Sequence, residues 1–262
     1  MKTLVIGDIH NRVDWIEPFL QSVEHDNVIF LGDYFDDFGD TPDDATKTAE
    51  WLAKSVLTDN RIHLIGNHDQ PYKYVGNLFF DNFHGFTNNK SKAINKVFNK
   101  YNTNIWSKIK YAHFDFKYNY IYSHAGLTAK LFPFCPVKGP DLKKYSDIIS
   151  NGEQTLVDND QACVPIFTNN IDGSYSGITW IRPESMEIIP TVSQVVGHTP
   201  CHTIYNCPIE KSRPFYVEDD MGGSVTYLDC KINWVGLVDN GIMHYVSRDN
   251  GVIIPRYSFD YS

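Results

Sequence analysis

Eight polar side chains fall in five short blocks. They are Asp8 and His10 in Gly7-Asp8-Ile9-His10, Asp33 and Asp36 in Gly32-Asp33-Tyr34-Phe35-Asp36, and Asn67 and His68 in Gly66-Asn67-His68-Asp69. His124 in Ser123-His124-Ala125-Gly126 and His198 in Gly197-His198-Thr199-Pro200 complete the set. Carboxylate, imidazole and amide oxygen together suit a first-row divalent ion such as Mn²⁺, Fe²⁺ or Zn²⁺ better than calcium. Asp33 belongs to the central strand of the group, where one carboxylate could bridge two ions.

Apolar strands must carry these residues. Lys2 to Ile6, Val28 to Leu31 and Arg61 to Ile65 are short β-branched or apolar runs, each released by a glycine directly before the block. Such runs read as buried strands of a parallel sheet, and ligands of open α/β sheets gather at the carboxyl ends of strands. Between them, Val13, Ile16, Phe19, Leu20 and Val23 recur at helical spacing. Ala45, Ala49, Leu52 and Val56 do the same behind Thr41-Pro42, an N-cap with proline at the first helical position. The alternation of strand and helix predicts a parallel core. Further on, Ile94, Val97, Phe98, Tyr101 and Ile105 predict a lysine-rich amphipathic helix over 90–110, and Tyr111 to Tyr122 a hairpin around Lys117-Tyr118-Asn119. Gln194 to Val196 runs into the last block as a strand, and segments 215–217, 225–228, 235–238 and 243–246 read as strands of a second sheet.

The chain has 262 residues and a formal net charge of -9, enough length for a well-buried α/β core and a charge that gives no support to broad nucleic-acid or anionic-membrane binding. Bound cations would still admit phosphorylated substrates, because they invert the local field. The five cysteines, Cys135, Cys163, Cys201, Cys207 and Cys230, contain no Cys-x-x-Cys pair and imply neither a zinc ribbon nor a disulfide framework. No signal peptide is evident, and no apolar run approaches the ~18 residues of a membrane span. The expectation is a soluble cytoplasmic protein without a membrane partner, folded as a single domain over 1–262 with a helical insertion around 83–110.

Taken in order, the five blocks resemble those of the calcineurin-like metallophosphoesterases: Asp-x-His, Gly-Asp-x-x-Asp, Gly-Asn-His-Asp/Glu, His-Ala-Gly and Gly-His. The resemblance runs from Gly7 to His198. It implies an α/β fold of two packed mixed β-sheets flanked by α-helices, an α/β/β/α sandwich. It also implies two divalent metal ions, Mn²⁺ foremost with Fe or Zn as alternatives. Asp8, His10 and Asp33 would hold the first ion; Asp33, Asn67, His124 and His198 would hold the second. A water shared by the ions, ionised near neutral pH, would attack phosphorus in line. His68, oriented by Asp36, would protonate the leaving oxygen. Of the ten histidines, His10, His68, His124 and His198 lie in these blocks; His25, His63, His84, His113, His202 and His244 lie outside them and are expected to be structural.

Two details point to one branch, that of protein Ser/Thr phosphatases and symmetrical dinucleoside tetraphosphatases. Pro200 stands where many phosphodiesterase members have a second histidine, and Trp180-Ile181-Arg182 is similar to the Trp-x-Arg whose arginine holds substrate phosphate. There are departures too. Asp37 stands where that branch carries a phosphate-clamping arginine, and Asn11 stands where it has a glycine after Asp-x-His; Arg12, which follows, is the candidate for restoring the positive charge. The expected function is hydrolysis of phosphomonoesters, in the manner of a protein Ser/Thr phosphatase, with phosphoprotein as substrate. Hydrolysis of a nucleotide, either a dinucleoside polyphosphate or a cyclic phosphodiester, is the alternative. A non-catalytic scaffold of the same fold is a remote third, since no ligand residue is missing. Oligomeric state is not legible in the residues.

Overall fold

The computed structural model describes residues 1–76, 84–128, 141–157, 167, 177–201, 214–218, 220–228 and 233–256. In chain order its elements are β1 (Lys2–Ile6), α1 (Ile16–Ser22), β2 (Asn27–Phe30), α2 (Pro42–Ser55), β3 (Arg61–Leu64), α3 (Gln70–Lys73), α4 (Asn88–Phe98), β4 (Ile109–Lys110), β5 (Ala112–Asp115), β6 (Tyr120–Ser123), α5 (Leu142–Val157), β7 (Ser193–Val196), β8 (Phe215–Glu218), β9 (Ser224–Tyr227), β10 (Trp234–Asp239), β11 (Ile242–Ser247) and β12 (Ile253–Pro255). They form two mixed sheets with helices alongside, the α/β architecture anticipated from the strand–helix alternation. The chain divides into two compact units, Met1–Lys110 with Asn233–Ser262, and Tyr111–Ile232, one sheet to each.

The sheet of the first unit has the order β12-β11-β10-β1-β2-β3-β4. β1, β2, β3 and β4 are parallel, with Leu4 opposite Val28 and Ile29 opposite Ile62. Leu4, Val5, Ile6, Val28, Ile29 and Phe30 are buried on both faces, which is why these strands show no polar alternation. α1 buries Ile16, Phe19 and Leu20, and α2 buries Ala45, Thr48, Ala49, Leu52 and Ala53. The recurrence every three or four positions is one helix face. A capping box starts α2: Thr41 Oγ1 accepts the Asp44 N–H while the Asp44 carboxylate accepts the Thr41 N–H, with Pro42 just inside.

Two sequence expectations are corrected here. Segments 235–238 and 243–246 do not join the second sheet. They lie in β10 and β11, and β10 runs antiparallel to β1 with Leu237 opposite Leu4. Their apolar pattern records burial, which is the same in either sheet; the pairing partner is a non-local choice it does not encode. The helix expected over 90–110 ends at Phe98, capped by Asn99. A 3-10 turn at Ile105–Lys108 follows, and β4 then pairs with β3. Asn99, Asn102 and Asn104 interrupt the apolar spacing, and asparagine bonds locally to backbone instead of extending a helix.

In the second unit the sheet order is β5-β6-β7-β9-β8. β5 and β6 make the expected hairpin, its turn held by Asp115 accepting the N–H groups of Lys117 and Tyr118 and by Asn119 at φ 60. β6, β7 and β9 are parallel, so Ser123 and Val196 end side by side on neighbouring strands. Among the described residues no helix is long and apolar enough to cross a membrane. Cys201 is buried, its Sγ 3.8 Å from the Tyr227 carbonyl. Cys135, Cys163, Cys207, Cys230 and His202 lie outside the described residues.

Candidate active site

In the first unit the loops that follow β1 and β2 are zipped together. The carbonyl of Asp33 accepts the N–H groups of Ile9 (3.0 Å) and His10 (2.7 Å), and that of Tyr34 accepts the Asn11 N–H (2.8 Å). Next door, Gly66 after β3 packs so tightly that an added Cβ would lie 2.1 Å from Oδ1 of Asp33. Glycine is required there by close approach. Non-glycine residues with positive φ gather in the same place: His10, Asn11, Asp33 and Asp36 all adopt it. Such backbone is costly for L-residues and marks positions held for function.

The result is a cluster in which Asp8, His10 and Asp33 each offer one ligand atom within 4.8 Å of the others, with both carboxylates buried. The tautomer of His10 follows from its neighbours. Nδ1 lies 2.6 Å from the Asp36 carbonyl and 3.3 Å from that of Phe35, both acceptors, so Nδ1 carries the hydrogen. Nε2 faces Oδ2 of Asp33 at 3.6 Å. An imidazole whose far nitrogen is spent on a carbonyl is the arrangement of a metal ligand. An imidazole nitrogen whose ring is anchored through its far side, together with two buried carboxylates, suits a divalent ion.

His68 stands beside this cluster, its ring 5.4 Å from that of His10. Its backbone N–H donates to Oδ1 of Asp33 (2.9 Å), and its Nδ1 faces Oδ2 of Asp36 at 3.4 Å. Burial works against the imidazolium, but the charge of Asp33 and the bond to Asp36 prevail and raise its pKa to about 9. A cation on Asp33 offsets the first of these, leaving Asp36 as the partner that keeps the proton in place. Asp36 is itself buried, which favours its neutral form. Bonds from His68, Lys90 and Tyr72 outweigh that and hold its pKa below the ordinary value. One residue thus serves both imidazoles, His10 through its carbonyl and His68 through its carboxylate.

Three residues to which the sequence reading gave no role shape this unit. Asp69 is fully buried, and its carboxylate accepts the N–H groups of Tyr34 (2.8 Å), Phe35 (3.4 Å) and Gly66 (2.8 Å). It ties the loop after β2 to the loop after β3, and its place in the Asn67-His68-Asp69 block was the available signal. Lys90 and Tyr72 reach the carboxylate of Asp36; no motif announced either one.

Arg12 and Asp37, whose charges seemed opposed toward a phosphate, are paired with each other. The Asp37 Oδ2 accepts from Nη2 (2.7 Å) and Nε (3.0 Å) of Arg12. The backbone zipper between their loops brings them together. Asp37 is therefore locally neutralised, and Arg12 is engaged by a carboxylate in the position where the sequence reading offered it to substrate.

In the second unit His124 follows β6 and His198 follows β7, and the carbonyl of His124 accepts the Gly197 N–H (2.7 Å). His198 has φ 64, and its Nε2–H donates to the Trp180 carbonyl (3.2 Å). Its Nδ1 is then an acceptor, 3.2 Å from Nε2 of His124. Two ring nitrogens converging this closely call for a proton or a cation shared between them. Arg182 donates from Nη1 to the His198 carbonyl (2.9 Å), which places a guanidinium next to that pair.

Among solved structures, the cold-active protein-tyrosine phosphatase of a psychrophilic Shewanella species is similar, with 16% identity and a TM-score of 0.59, over 96% of this chain and 79% of its own. A protein serine/threonine phosphatase from Saccharomyces cerevisiae, with similarity to human phosphatase PP5, has 12% identity and a TM-score of 0.50 over 100% of this chain and 82% of its own. At such identities the likeness is one of fold. No curated protein sequence matches the chain significantly. The family model of calcineurin-like phosphoesterases matches residues 1–202, the stretch that carries every ligand-type side chain described above, and the chain is accordingly a member of that family, a hydrolase of phosphate esters.

Proposed function

We propose that the chain hydrolyses phosphomonoesters with two bound divalent ions, in the manner of a protein phosphatase. The observation that carries this reading is the donor set of the first unit: Asp8, His10 and Asp33 converge within 4.8 Å, and His10 presents Nε2 because Nδ1 is spent on a carbonyl. These three would hold the first ion. By the family resemblance Asp33, Asn67, His124 and His198 would hold the second, with Mn²⁺ the favoured metal and Fe or Zn the alternatives. When bound, the ions polarise the phosphoryl group and make water acidic enough to act as a nucleophile near neutral pH.

The chain's own residues do the rest. His68 keeps its ring oriented through Nδ1 and Asp36, so that Nε2 is the atom from which a proton passes to the leaving oxygen. Arg182, anchored by the His198 carbonyl, offers its guanidinium to phosphate oxygens. Pro200 removes the second histidine that accompanies phosphodiesterase chemistry in relatives, which favours monoesters. The two neighbouring structures named as protein phosphatases accord with that choice.

A substrate panel tests it. With Mn²⁺ supplied, kcat/KM is measured on p-nitrophenyl phosphate, phosphoserine and phosphotyrosine peptides, a bis-aryl phosphodiester and a dinucleoside tetraphosphate. Monoesters are expected to lead. Faster turnover of the diester or the dinucleotide would overturn the monoesterase assignment in favour of a nucleotide hydrolase.

A further inference from the structure

Lys90 lies on α4, outside all five blocks, yet its side chain is buried, with the residue 4% exposed. Its Nζ donates to Oδ1 of Asp36 (2.7 Å) and to both oxygens of Asp40 (2.9 and 3.1 Å). Burial opposes the ammonium, but the bonds and charges of Asp36 and Asp40 raise its pKa above the ordinary lysine value, so it stays charged. The placement is fixed from two sides. Thr87 Oγ1 accepts the Lys90 N–H at the start of α4, and Ile94, Val97 and Phe98 bury the same helix. Asp40 in turn accepts from Asn11 Nδ2 (2.8 Å), and Thr48 Oγ1 donates to Asn11 Oδ1 (2.8 Å), which ties the lysine to the residue beside His10.

The geometry at Asp36 divides its two oxygens. Oδ1 accepts from Lys90 Nζ and from the Tyr72 hydroxyl (2.6 Å), while Oδ2 is turned to Nδ1 of His68 at 3.4 Å. A carboxylate gripped by two donors through one oxygen cannot swing about its χ2, so the other oxygen is aimed. We propose that Lys90 is a positioning residue of the reaction, acting with Tyr72 to hold Oδ1 of Asp36 so that Oδ2 orients His68. The helix over Asn88–Phe98 is thereby coupled to the proton-donating pair. This rests on the reading of His68 as the proton donor. A purely structural lysine would stabilise the fold without distinguishing one leaving group from another.

The test is a set of variants, Lys90→Met, Tyr72→Phe, His68→Asn and the Lys90→Met/His68→Asn double variant, saturated with Mn²⁺ and assayed on an alkyl phosphate and on p-nitrophenyl phosphate. Lys90→Met is expected to lower kcat on the alkyl phosphate by ~10–100-fold, the range expected when a proton donor is misplaced by about an ångström. The loss on p-nitrophenyl phosphate should be far smaller, since that leaving group needs little protonation. Tyr72→Phe, which deletes only a hydroxyl, should show the same pattern more weakly and supplies the test if Lys90→Met does not fold. In the His68→Asn background the Lys90 substitution should cost nothing further. Equal losses on both substrates, or a loss that adds in full to that of His68→Asn, would overturn the positioning role. Failure of His68→Asn itself to discriminate between the leaving groups would instead remove the proton-donor reading beneath it.

Discussion

Replacing Asp69 by asparagine removes one charge and one acceptor from a fully buried side chain that has three backbone donors to satisfy, those of Tyr34, Phe35 and Gly66. The asparagine amide has one oxygen. If it serves Tyr34 and Phe35, its NH₂ group confronts the Gly66 N–H, and the reverse flip exposes the other side to the same conflict. A hydrogen bond to a charged group contributes about 1.5–3 kcal/mol, and a buried donor left without an acceptor costs about 1–3 kcal/mol more. The expected destabilisation is therefore ~3–5 kcal/mol, a large share of the ~5–15 kcal/mol that holds a domain folded. At ~2–4 °C per kcal/mol the melting temperature should fall by ~6–20 °C. Because the same carboxylate fixes the loops carrying Asp33 and Asn67, Mn²⁺ affinity should weaken as well. Urea unfolding together with Mn²⁺ titration measures both effects. A destabilisation below about 1 kcal/mol with unchanged metal affinity would refute the assignment of Asp69 as the tie between the loops.

His63, stacked on Phe30 and bonded to Tyr34 and Ser55, is held neutral; burial foremost, then the charge of Arg61, lowers its pKa from 6.5 to about 3. The unfolded chain takes up this proton first as pH falls, so its contribution to stability is complete above pH ~6.5 and is lost toward pH ~3, by ~2 kcal/mol at pH 5. His63→Gln should flatten that decline in urea midpoints measured at pH 7 and pH 5. Asp37→Asn should release Arg12 at the cost of a partly exposed ion pair, worth under ~1 kcal/mol. The expected outcome is a KM for small phosphomonoesters several-fold lower, reversed by adding Arg12→Ala; an unchanged KM would mean that Arg12 does not reach the phosphate.

The strands that carry the first unit's candidate ligands were legible because each ends an apolar run with a glycine and a polar residue, a local signal. Ligand types were legible for the same reason. What suits His10 to a ligand's role is the Asp36 carbonyl that spends its Nδ1, a contact across 26 positions set by backbone geometry. Lys90 is one of several lysines in a segment whose spacing predicts an amphipathic helix, and spacing does not distinguish a solvated lysine from one buried against two carboxylates. The pairing of Arg12 with Asp37 inverted an argument made from their charges taken singly. Strand membership failed at β10 and β11 because an antiparallel partner is chosen across the length of the chain.

Metal content measured alongside turnover addresses the central claim most directly. Protein stripped with a chelator, then titrated with Mn²⁺ under element analysis, should bind two ions per chain, and hydrolysis of a phosphomonoester should be absent without metal and complete only at the second equivalent. Asp33→Asn, which alters the carboxylate proposed to be shared, should weaken both positions at once, whereas Asp8→Asn should weaken only one. Full activity in metal-free protein, or saturation of activity at a single ion, would contradict the account.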